Sequence, residues 1–355
     1  MAEKPMKPEQ IMYRTIAFFL SFARGWHGAL GRLALTAFFG LAPLSNVVMA
    51  QVPLLVPDHP IALPDTGGRI DHMAIDLTRR HLFVAELGNG SLDVVDLAGS
   101  KVIHRITGLK EPQGIGYDAK SDLVIVASGG DGTLRTFSGS DFTPRSILTL
   151  GDDADNLRID PRNGHVIVGY GNGALAVIDP VAMRKLREIP LAGHPESFRL
   201  AGNRVFINVP DAGQIVVADT DTAKILAIWK PRFSSNFPMI LDGSGDIGVV
   251  FRGQSKLALL DPNSGALIAS ADTCGDADDL FFDARRKYFY VSCGSGAVDV
   301  MSRDPSGLHR LSRVQTISGA RTSLFVPQLD RLFVAARAGI LGSAASILVF
   351  GTTPN

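Results

Sequence analysis

From residue 69 onward the chain alternates short apolar runs with polar, glycine-containing turns, and this alternation repeats. The clearest marker is an apolar run closing on Asp. It occurs as His72-Met73-Ala74-Ile75-Asp76, Gly114-Ile115-Gly116-Tyr117-Asp118, Leu157-Arg158-Ile159-Asp160, Met239-Ile240-Leu241-Asp242 and Leu280-Phe281-Phe282-Asp283. Ser197 to Ala201 and Leu324 to Pro327 are degenerate copies. The runs end at 76, 118, 160, 201, 242, 283 and 327, so successive gaps are 42, 42, 41, 41, 41 and 44 residues. A fixed period of that size predicts a repeat architecture.

Each repeat has the same internal order. A second run follows, such as His81-Leu82-Phe83-Val84-Ala85, Leu123-Val124-Ile125-Val126-Ala127 or Tyr288-Phe289-Tyr290-Val291-Ser292. These runs are continuously apolar, as strands covered on both faces are. A glycine turn comes next, as in Gly88-Asn89-Gly90 or Gly171-Asn172-Gly173; Gly and Asn tolerate the positive φ of tight hairpins. A third run ends near Asp96, Asp179, Asp219 or Asp261. The fourth is less apolar, as an outer edge should be: Val102 to Ile106, Leu186 to Pro190, Ile225 to Trp229.

Four strands per repeat and seven repeats predict an all-β, seven-bladed β-propeller of four-stranded blades. The seventh copy lacks its outer strand, because only five residues follow Ile347-Leu348-Val349-Phe350. Pro60-Ile61-Ala62-Leu63-Pro64 resembles an outer strand and is expected to complete that blade, closing the ring. A solenoid is the alternative, but polar capping repeats are not seen at either end. The runs with Leu-Phe-Val-Ala at 82–85 and 332–335, the Gly-x-Gly turns and the Asp-terminated strands resemble the bacterial YVTN-type (YncE-like) propellers, over about residues 60–351. Leu-Phe-Val-Ala stands where that family has Tyr-Val-Thr-Asn. The resemblance implies an exported WD40-like propeller, often without an assigned reaction.

Composition agrees with a turn-rich β protein: Gly (37) plus Pro (20) is 57 of 355 residues, about 16%. Lys plus Arg equals Asp plus Glu at 35 each, which argues against nucleic acid as a partner held by bulk positive charge. Residues 1–50 differ: they are basic at Lys4, Lys7, Arg14, Arg24 and Arg32, then apolar from Leu33, ending Val48-Met49-Ala50. This pattern predicts an export signal cleaved after Ala50 and hence a periplasmic or secreted protein. An uncleaved anchor is the alternative. Pro43, Ser45 and Asn46 interrupt the apolar run, so no stable membrane span is expected after cleavage. Residues 51–59 read as an extended lead-in, 60–355 as one domain, and a monomer is expected.

Function in such a ring belongs on loops over the scaffold. Residues before each first strand and after each second strand emerge on one face, around the channel. They predict a polar mouth from Asp71, His72, Glu86, Gln113, Asn156, Tyr170, Glu196, Asn236, Arg252, Asp278, Arg321 and Arg337. This mouth would bind a small molecule or a protein. The alternative is a hydrolase or lactonase, with Glu196 or His72 as base and Arg321 or Arg252 stabilising an oxyanion. Several of these residues offer oxygen donors, but no spacing motif supports a metal, and none is assigned; no cofactor is identified. Cys274 and Cys293 flank one repeat's first two strands at the same face, so a disulfide is geometrically open to them.

Overall fold

Apolar runs without polar alternation need cover on both faces, and a ring of radial sheets supplies it. The computed structural model describes residues 53–339 and 343–353. It contains seven antiparallel sheets, six of four strands in simple meander order. The first blade runs Met73–Asp76, His81–Glu86, Ser91–Asp96 and Lys101–Thr107 from axis to rim. The inner strands of blades two to seven are Pro112–Asp118, Leu157–Ile159, Phe198–Ala201, Asn236–Leu241, Ala277–Asp283 and Ser323–Val326. The expected export signal lies outside the described residues. No helix among the described residues is long and apolar enough to cross a membrane.

Second strands are fully enclosed: Leu82, Phe83, Val84 and Ala85 are all 0% exposed. Their side chains feed seven apolar clusters, one between each pair of neighbouring blades. Phe83 of blade one, for example, packs with Ile115 and Val124 of blade two. The cluster between blades seven and one joins Phe333 and Ile347 to Leu82 and Val84, so the last interface is built like the others.

Blade seven closes with strands from both ends of the domain. Ile61–Ala62 pairs with Ser346–Thr352 in the register Ile61↔Ile347 and Ala62↔Ser346. Pairing also begins earlier than the pattern suggests. Leu55–Pro57, read from sequence as lead-in, continues the same edge as Leu55↔Thr352 and Pro57↔Phe350. Prolines at 53, 57 and 60 disguise this strand in the sequence. On an outermost strand they are tolerated, because an N–H facing away from the ladder has nothing to lose.

Candidate functional site

The mouth is shaped where inner strands begin. In blades two, five and six the pairing slips there, between Pro112 and Ile115, Asn236 and Met239, and Ala277 and Asp279. Such bulges re-aim side chains; the one in blade six accommodates Asp278, beside Asp279. The blades also crowd together at this level. A Cβ on Gly114 would lie 2.1 Å from the Asp155 carbonyl oxygen, so only glycine fits there.

One group of charges gathers on the blade one side. Asp71, 1% exposed, lies 2.7 Å from both Arg69 Nη2 and His72 Nδ1. Burial alone would depress the His72 proton affinity, but the Asp71 carboxylate, helped by Asp279 and Asp155, pushes it up to about 9. A second histidine, His194, has Nδ1 2.7 Å from the Gly171 carbonyl oxygen and 3.6 Å from Asp153. Burial again opposes its protonation; Asp155, the Gly171 carbonyl and Asp153 together raise it to about 9.

On the far side, Arg252 and Arg321 both hold Asp278: Arg252 Nη2 donates to it, and Arg321 Nε is 3.0 Å away. Arg321 also donates to Asp276 at 2.9 Å. Arg252 is clamped by the Ala277 carbonyl and by the Phe237 ring, whose centroid is 3.7 Å from the guanidinium carbon. Glu196 faces this arrangement, and its carboxylate has no hydrogen-bond partner among the described residues. Burial, then repulsion from Asp155 and Asp278, pushes it up to about 7 despite His194 and Arg252. Asp279 is pushed up to about 6, chiefly by burial, while accepting a 2.6 Å hydrogen bond from the Ser323 N–H. Arg337 joins Arg69, Arg321 and Asp276 around a cavity of about 160 Å³.

Six of the residues expected from sequence therefore share this network: Asp71, His72, Glu196, Arg252, Asp278 and Arg321. Arg337 borders it, and Gln113 reaches its rim by donating to Asp153 at 3.3 Å. Three of the other four turn elsewhere, and Asn156 stays at the network's edge through Asp155. Glu86 is 0% exposed and accepts from Thr66 and Ser91 inside blade one, next to the Asp93–Arg105 pair. The Tyr170 hydroxyl donates to Glu188, out on the third blade's outer strand. Asn236 is buried between blades four and five, donating to Asn208 and to the Gln214 carbonyl. Asn156 is buried and donates to Asp155 at 3.4 Å. His194, Asp276, Arg158 and Arg199 contribute beyond the expected set. Spacing from the repeat anchors could have found the arginines, which interrupt two apolar inner strands.

No group of three or more His, Cys, Asp or Glu residues suited to a metal occurs among the described residues. A larger cavity, about 950 Å³, opens at the opposite strand ends between blades five and six. Arg303 in its lining pairs with Asp246 and lies 3.7 Å from Asp242. Cys274 and Cys293 form a disulfide beneath the mouth in blade six, with Cα atoms 5.8 Å apart.

No protein-family model matches the sequence. No curated protein matches it either. Solved structures match in shape. A chain from the crystal structure of the mitotic checkpoint complex superposes with a TM-score of 0.74 at 12% identity, covering 92% of this chain and 100% of that one. The RRP9 WD40 repeats superpose with a TM-score of 0.73 at 9% identity, covering 83% and 97%. At such identities the likeness is one of fold, the seven-bladed β-propeller.

Proposed function

We propose that this protein is an exported binding module of the YVTN type, and that its ligand is a small charged molecule seated at the channel mouth. One observation carries the reading: charged side chains from blades one, three, four, five, six and seven converge there, with proton affinities displaced by burial and by their mutual fields. Perturbed groups concentrate at functional sites because binding needs desolvated, fixed charge. The basic and apolar residues 1–50 support export, to the periplasm or outside the cell.

The test is a thermal-shift screen against metabolites and metal ions. A ligand present at 100 times its dissociation constant adds about 2.7 kcal/mol. The stabilisation should fall away in Arg321→Gln and Glu196→Gln. A ligand whose effect survives both changes binds elsewhere, and the mouth reading fails. A protein partner on the rim is the competing occupant.

A hydrolytic reading draws on Glu196. A carboxyl held near 7 is matched to proton transfer at neutral pH, and Arg252 and Arg321 stand on its far side. On this reading Glu196→Gln abolishes turnover of a lactone or ester substrate while the protein stays folded. Unchanged turnover removes it.

A further inference from the structure

We infer that Arg158 and Arg199 form an oxyanion-recognition site within the channel, taking the carboxylate or phosphate group of a small organic acid. The inference rests on the channel-mouth reading and names the ligand's chemistry. The two arginines occupy the same register on neighbouring inner strands, each two residues before the strand-end position held by Asp160 and Ala201. Elsewhere in the ring that register holds Ala74, Gly116, Ile240, Phe281 and Phe325. The fold therefore asks for an apolar or small residue here, and two adjacent blades supply guanidinium groups instead.

Neither arginine is neutralised. Arg158 donates to the Leu157 carbonyl at 2.6 Å; Arg199 donates to the Phe198 carbonyl at 3.0 Å and to Ser197 Oγ at 3.3 Å. No carboxylate among the described residues forms an ion pair with either, whereas Arg69, Arg252 and Arg321 each have at least one. Each guanidinium carries five N–H donors, so most of theirs are unspent. Both side chains are half-buried. Their mutual repulsion, after burial, destabilises the charged form of Arg199. The field of Asp279, from blade six, reaches both. Arg158 is steadied over the Phe198 ring, 5.5 Å from its centroid. Two adjacent cations with free, planar donor edges fit an oxyanion between them, which removes the repulsion and satisfies the donors bidentately.

Calorimetric titration at pH 7 and low ionic strength, with sodium succinate and with sodium phosphate, tests this; sodium chloride at matched ionic strength is the control. We expect at least one oxyanion to bind, and which one does assigns carboxylate or phosphate. Affinity should fall at least tenfold in Arg158→Gln and in Arg199→Gln, each checked for fold by circular dichroism. Arg199→Lys, which keeps the charge and loses the fork, should lie between. Affinity unchanged from the parent protein in both glutamine variants, or an effect reproduced by chloride, overturns the inference. If neither oxyanion binds but a neutral or cationic compound does, dependent on Glu196 and Arg321, this inference falls and the mouth reading stands. If nothing in the screen binds, both fall.

Discussion

At the scale of single residues, the aspartates that end the inner strands are turn-makers. Asp76 Oδ1 accepts the Thr78 and Arg79 N–H groups at 2.8 and 3.1 Å, and Asp283 does the same for Arg285 and Arg286. A left-handed residue follows each, Arg80 at φ 56° and Lys287 at φ 58°. Arginine then clasps the next blade. Arg286 Nη1 lies 2.8 Å from Asp283 and 3.0 Å from Asp330, and its Nε donates to the Thr353 carbonyl. The Arg286 and Asp283 side chains are 2% and 1% exposed. Removing one partner of a buried pair strands the other, so Arg286→Met should cost about 3 kcal/mol in urea unfolding. At the mouth, pH is the readable variable. Glu196 and Asp279 titrate above their ordinary values, near 7 and 6, and His72 and His194 near 9. In all four cases the folded chain holds protons that the unfolded chain has released. The histidines' contribution is complete below about 6.5 and is lost through 9, while the carboxyl penalty grows between about 4 and 7. Urea midpoints should therefore fall from pH 5 to pH 9. Glu196→Gln should stabilise by on the order of 1–3 kcal/mol at pH 8 and almost nothing at pH 4; an equal effect at both values would contradict the assigned environment. Repeat spacing located Glu196 and Arg321 because strand ends fix position along the blade. It could not tell that Glu86 and Tyr170 turn their side chains back into their own sheets, since that choice lies with partners such as Ser91 and Glu188.

At the scale of elements, the Cys274–Cys293 bridge ties the loop before blade six to the end of that blade's second strand, across 19 residues. A loop of that length corresponds to about 3 kcal/mol in the chain-entropy account. The paired change Cys274→Ala and Cys293→Ala should lower stability by about that amount, and thiol titration of the unreduced, unfolded protein should give zero. The bridge holds the loop carrying Asp276, so the same double variant should weaken the Arg321 contact and any binding that depends on it. The strands themselves were legible from sequence wherever apolar content was continuous, as in His81–Glu86 or Leu123–Ser128. The pattern faded at Leu55–Pro57, a strand of three residues whose burial rests on Leu55 alone, at 1% exposed. One buried side chain leaves no period to detect.

For the molecule as a whole, the ring depends on a seam made from residues nearly three hundred positions apart. Leu55 faces Thr352, and Leu63 N–H donates to the Ala345 carbonyl at 3.0 Å. A chain begun at residue 64 should lose this outer edge and uncover Ser346–Thr352. It should melt lower and associate at its open sheet, measured by calorimetry and sedimentation. If it matches the full chain in both, the closure is dispensable. This seam also orders events in time. While the polypeptide emerges, Leu55–Ala62 is among the first segments of the domain to be made, and its partner is the last. Six sheets can form before the two ends meet, so every unfinished copy carries two bare borders, and whatever guards nascent chains against clumping must act until the final strand arrives.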